Sequence, residues 1–132
     1  MSVVVGYVPT PEGAAALEHA LGEAQGRGSR LVVVNSSRGD KLVDERYALP
    51  EQLDEVRTRL EATQVPHLVV QTMRGRDAAD EVLEAAEKHR ADVIVIGLRR
   101  RSPVGKLIMG STAQRILLEA PCPVVAVKAA LA

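Results

Sequence analysis

Two hydrophobic rhythms alternate along the chain. Short unbroken apolar runs, rich in valine, occur at Val3-Val4-Val5, Leu31-Val32-Val33-Val34, Leu68-Val69-Val70, Val93-Ile94-Val95-Ile96 and Val124-Val125-Ala126-Val127. They predict five strands, the third over 67–73 and the fourth over 92–97, because continuous rather than alternating apolar residues mark strands covered on both faces. Between them the apolar positions recur with helical spacing. Over 12–25, Ala16, Leu17, Ala20, Leu21 and Ala24 share one face, and Gly26 and Gly28 supply the stop. Pro50 opens a second helix at the favoured first-turn position, with Leu53, Val56 and Leu60 inward. Asp77 caps a third helix whose buried side carries Val82, Leu83 and Ala86, with His89 as a candidate. A fourth helix spans 110–119, and residues 38–50 and 98–109 read as loops.

Five strands separated by helices require right-handed crossovers and a parallel sheet. No repeat, linker or low-complexity tract interrupts the pattern, so a single doubly wound α/β domain over 1–132 is predicted. In such sheets ligands bind beyond the carboxyl ends of the strands, where the strand order reverses. A reversal beside the first strand would bring together residues 6–10, Asn35-Ser36-Ser37 and the segment from Gly97 onward.

Composition narrows the chemistry. The 132 residues carry 17 basic and 17 acidic side chains, a balance that argues against a generic nucleic-acid or membrane-surface binder. With two Tyr and no Phe or Trp, the core must be aliphatic and base stacking on aromatic platforms is nearly excluded. Cys122 is the sole cysteine, which rules out an internal disulfide or a cysteine zinc cluster. His19, His67 and His89 show no metal-ligand spacing. The apolar runs fall far short of the roughly 20 residues that span a bilayer. No signal-peptide pattern opens the chain, and a cytoplasmic protein is the expectation.

The chemically informative stretch runs from Gly97 to Thr112. A glycine closes a buried strand, a loop bearing Arg99, Arg100, Arg101 and Lys106 follows, and Gly110-Ser111-Thr112 opens a helix. Unpaired N–H groups and the dipole make a helix start receptive to anions, and two hydroxyls can donate to phosphate oxygens. The bland alternative makes Ser111 a helix N-cap and the arginines a solvated loop. The spacing is neither a Walker A loop, since Leu107 follows Lys106, nor GxGxxG.

This stretch, the strand before it and Pro121-Cys122-Pro123-Val124-Val125-Ala126-Val127-Lys128 after it resemble the C-terminal signature of the universal stress proteins. The family motif is Gly, two residues, Gly, nine residues, Gly, then Ser or Thr; Gly97, Gly110 and Ser111 keep its outer members. The resemblance covers essentially the whole chain and implies a Rossmann-like sheet in the order 3-2-1-4-5. It also implies an adenine nucleotide, ATP or its smaller relatives AMP and cyclic AMP, with magnesium as an accompanying ion. Phosphates would meet Gly97, Arg99, Gly110, Ser111 and Thr112, with Ile96 leading into the motif. Adenine and ribose would approach Gly6, Tyr7, Val8 and Ser36.

Two positions depart from the family pattern. Arg100 replaces the middle glycine, where its guanidinium can fork onto phosphates instead. Val8 stands where nucleotide-binding relatives usually carry Asp, and so offers packing but no hydrogen bond. Elsewhere, Cys122 reads as a small packing residue, and Glu12, Glu18, Glu23, Glu51, Glu55, Asp80, Glu81, Glu84 and Glu87 as solubilising charges on polar helix faces. The last strand would leave an apolar sheet edge at Val124, Val125, Ala126 and Val127, which invites a second copy. Family members commonly dimerise through this strand, and the resemblance implies a homodimer.

Three functions compete: a nucleotide-binding stress regulator, a dimeric stress protein working through protein contacts without nucleotide, and an adenylating enzyme. The enzyme group carries a Ser-Gly-Gly-x-Asp-Ser loop after its first strand, which residues 6–11 lack. Catalysis is therefore not expected, beyond weak ATP hydrolysis at most.

Overall fold

The computed structural model describes residues 1–35, 50–71, 77–98 and 110–129. In chain order these form β1 (Ser2–Gly6), α1 (Pro11–Arg27), β2 (Arg30–Asn35), α2 (Pro50–Thr63), β3 (His67–Gln71), α3 (Ala78–Lys88), β4 (Ala91–Leu98), α4 (Ser111–Glu119) and β5 (Val124–Lys128). The strands make one parallel sheet in the order β3-β2-β1-β4-β5, with Val4 opposite Val32 on one side and Ile94 on the other. The expected architecture and strand order are the observed ones.

The unbroken apolar runs have a simple cause. Alternate side chains of each inner strand enter different layers, so every position faces a helix. Val3, Val5, Leu31, Val33, Val93 and Val95 pack with Ala16, Leu17, Ala20, Leu21 and Ala24 of α1 and with Val56 and Leu60 of α2. Val4, Val32, Val34, Ile94 and Ile96 pack on the opposite face with Ala79, Val82 and Ala86 of α3 and Ile116 of α4. The edge strands β3 and β5 are only half-buried.

Helix boundaries follow local chemistry, with some departures from the sequence pattern. The Thr10 hydroxyl caps α1 by accepting from the Gly13 N–H at 3.1 Å, and Pro11 occupies the first turn. The helix runs through Gly26 and stops at Gly28, whose φ of 64° is the left-handed conformation that glycine adopts without steric cost. Asp77 caps α3 through the Ala79 N–H at 2.8 Å. The sheet-facing stripe of α3 is Ala79-Val82-Ala86, which leaves Leu83 on its flank and half-buried. His89 is the half-buried C-cap of α3, not part of that stripe.

One carboxylate departs from the surface role expected of it. Glu81 is buried, in the first turn of α3, where the helix N-terminus favours negative charge. Of the loops predicted over 38–50 and 98–109, Pro50 begins α2 and Leu98 ends β4; the rest of both loops, and the end of the third strand beyond Gln71, lie outside the described residues.

Candidate functional site

The crossovers place α1 and α2 on one face of the sheet and α3 and α4 on the other. The order therefore reverses between β1 and β4, and their carboxyl ends open the crevice. Gly6 ends β1, Leu98 ends β4, and Gly110 precedes α4.

The floor of this crevice is set by close backbone approach. A Cβ on Gly97 would lie inside van der Waals contact of the Glu12 carbonyl oxygen and 2.8 Å from its carbonyl carbon. A Cβ on Gly13 would lie closer still to the Val8 carbonyl oxygen and 2.8 Å from the Val8 carbonyl carbon. Glycine at 97 and 13 thus lets the first turn of α1 rest on the end of β4 and on the turn after β1. Gly6 meets only ordinary contacts, with a Cβ 3.4 Å from Val82 Cγ2.

Gly110 is different. Its φ of −72° is open to any residue, and an added Cβ would meet none of the described residues within 4 Å. Among the described residues neither backbone conformation nor packing calls for glycine there, and none of them covers the start of α4 at that point. Gly110 itself occupies the N-cap position without a side-chain cap bond. Ser111 is the first helical residue and exposed, so the alternative in which its hydroxyl caps the helix is not what forms. Thr112 follows, half-buried. The first N–H groups of a helix have no intrahelical acceptor, so this end points donors at the crevice.

On the other side of the crevice, the Tyr7 N–H donates to the Val34 carbonyl at 2.8 Å and the Thr10 N–H to the Val8 carbonyl at 2.8 Å. The Tyr7 side chain packs half-buried against the α1/α2 core. Burial, and after it the negative charge of Glu55, push its phenol above the ordinary value. Tyr7 also walls a groove of about 460 Å³ between α1 and α2, beside Thr10, Leu17, Gln52, Glu55 and Arg59. Arg59 is ion-paired with Glu18 across the two helices.

The predicted site residues thus divide. Gly6, Tyr7, Val8, Gly97, Gly110, Ser111 and Thr112 lie at strand ends or on the turns and the helix start that follow them. Ile96 is buried in the α3/α4 core, so only its main chain could serve a ligand. Ser36, Arg99 and Arg100 lie outside the described residues.

Arg115, the described cation nearest the start of α4 in sequence, is committed elsewhere. It pairs with Asp77, Asp80 and Glu119, and those carboxylates raise its already high pKa. Cys122 is half-buried against the α3/α4 core, and burial followed by Asp92 pushes its thiol up, as suits a packing residue. Among the described residues no group of three or more His, Cys, Asp or Glu side chains could hold a metal ion.

A doubly wound α/β sheet in the order β3-β2-β1-β4-β5, with its topological switch point between β1 and β4, defines the class. The model of the universal stress protein family matches residues 1–128. A universal stress protein of Mycolicibacterium smegmatis is 46% identical over 126 residues, 96% of each chain. The solved structure of a universal stress protein from Archaeoglobus fulgidus superposes with a TM-score of 0.76 at 31% identity, covering 97% of this chain and 98% of the other. A structure described as the universal stress protein from the same organism in complex with dAMP matches with a TM-score of 0.65 at 25% identity over the same shares. The chain belongs to the universal stress protein family.

Gly97→Ala is expected to destabilise the fold by about 1–3 kcal/mol, because backbone rather than a flexible side chain must give way. Gly6→Ala, which meets ordinary contacts, should change stability far less. Urea unfolding of the two variants checks the contrast.

Proposed function

We propose that this protein binds an adenine nucleotide across the carboxyl ends of β1 and β4 and acts as a stress-response regulator rather than an enzyme. The observation that carries the reading is the open space at Gly110. A glycine that neither its conformation nor its packing among the described residues explains would leave the start of α4 approachable by a phosphate. The dAMP complex of the Archaeoglobus relative supports the same ligand class. Backbone N–H groups at Ser111 and Thr112, with the two hydroxyls, would hold the phosphates. The turn through Tyr7 and Val8 would receive ribose and base.

ATP, AMP and cyclic AMP all fit this chemistry. Magnesium would arrive with a triphosphate rather than in a protein cage, since the described residues offer no ligand cluster of their own. The other reading, a dimeric stress protein working through protein contacts alone, is what remains if no nucleotide binds.

A homodimer through β5 completes the proposal. This strand is one end of the sheet, and its Val124, Val125, Ala126 and Val127 are each half-exposed. An apolar edge with unpaired N–H and C=O groups is a template for another strand. Leu117 and Leu118 of α4, the helix that precedes β5 in the chain, are exposed as well. No helix among the described residues is long and apolar enough to cross a membrane.

Gly110→Val combined with Ser111→Ala should abolish AMP and ATP binding in calorimetric titration while leaving the unfolding midpoint close to wild type. Wild-type affinity in that variant would place the nucleotide elsewhere. Light scattering coupled to size exclusion should give twice the 14.1 kDa chain mass; a single-chain mass would remove the β5 pairing.

A further inference from the structure

We propose that Asn35 is a positioning residue for the base and ribose side of the crevice, an inference that rests on the nucleotide reading above. Asn35 is the last residue of β2 and is 0% exposed. Its Nδ2 donates to the Tyr7 carbonyl oxygen at 2.9 Å, and its Oδ1 accepts from Gln71 Nε2 at 3.0 Å. One buried amide therefore ties the exit of β1 to the ends of β2 and β3.

The location gives the amide its consequence. The register of β1 with β2 ends at Gly6 opposite Val34, and Tyr7 is the first residue beyond it. Just past that point two hydrogen bonds to β2 fall on a single residue. The Tyr7 N–H donates to Val34, and the Tyr7 carbonyl accepts from Asn35. Together they fix the peptide that leads into Val8, on the side where base and ribose would lie.

An aliphatic residue would fill a buried strand position without desolvating an amide, as Leu31, Val32, Val33 and Val34 do in the rest of β2. The amide adds a fixed path for the next strand's exit, which packing alone does not specify. A wall set before the ligand arrives loses less freedom on binding. The Val8 side chain supplies no hydrogen bond, so what this turn offers a ligand is its shape and its main chain, and both depend on where Tyr7 and Val8 are held.

Calorimetric titration of wild type, Asn35→Leu and Gln71→Leu with AMP and with inorganic tripolyphosphate tests the role. Asn35→Leu should weaken AMP about tenfold, the order expected for losing a buried hydrogen bond and stranding its acceptor. Tripolyphosphate, which has no base or ribose, should keep its wild-type affinity. Gln71→Leu leaves the bond to Tyr7 in place but removes the one that Gln71 donates to Asn35 Oδ1. It should weaken AMP by about two- to threefold, and it lies on a half-buried edge strand, so it keeps the test available if Asn35→Leu fails to fold. Equal losses for both ligands, or undiminished AMP binding in both variants, would overturn the positioning role and leave the nucleotide reading standing. Wild-type protein that binds no AMP would overturn the nucleotide reading and this inference together.

Discussion

The crevice exists because one helix begins almost in contact with two turns of backbone. The first turn of α1 lies on Gly97 at the end of β4 and on Val8 just beyond β1, at separations that admit no Cβ at Gly97 or Gly13. That contact fixes the ends of the two strands between which the sheet reverses order. Thr10 and Pro11 set the angle of the helix from the other direction, through a cap bond and a restricted φ. If α1 started farther away, β1 and β4 would still pair, but the floor between their ends would not be a defined surface.

Two glycines of one family motif therefore answer to different causes. Gly97 is required by the protein's own packing, whatever ligand is present. Gly110 is required by none of the described residues, and so it is the position that speaks for a ligand. A motif match alone does not separate these roles; the geometry of the missing Cβ does. Arg115 carries a similar lesson about charge. It lies on the helix that opens the crevice, yet it braces α4 against α3 through Asp77 and Asp80.

Much of the fold was legible in the sequence because the inner strands are buried on both faces, which writes an unbroken valine-rich run wherever a strand lies. The strand order itself came from resemblance, since spacing along a chain does not say which strands are neighbours. Boundaries shifted where two signals competed. Gly26 looked like a stop, but only Gly28 adopts the left-handed conformation that ends α1. Glu81 looked like a surface charge, but the first turn of a helix can hold a buried carboxylate. Asn35 read as a strand end that reaches the crevice, but not as a residue that ties three strands together. Its partners Tyr7 and Gln71 are 28 and 36 residues away, and a bond across three strands leaves no local periodic trace.

The central claim is that the crevice takes an adenine nucleotide. Calorimetric titration of the wild-type protein with ATP, AMP and cyclic AMP, with and without magnesium, tests it most directly. The account predicts saturable binding of at least one of them with a Kd on the order of micromolar, about −8 kcal/mol. No heat and no thermal shift with all three at millimolar concentration would contradict it.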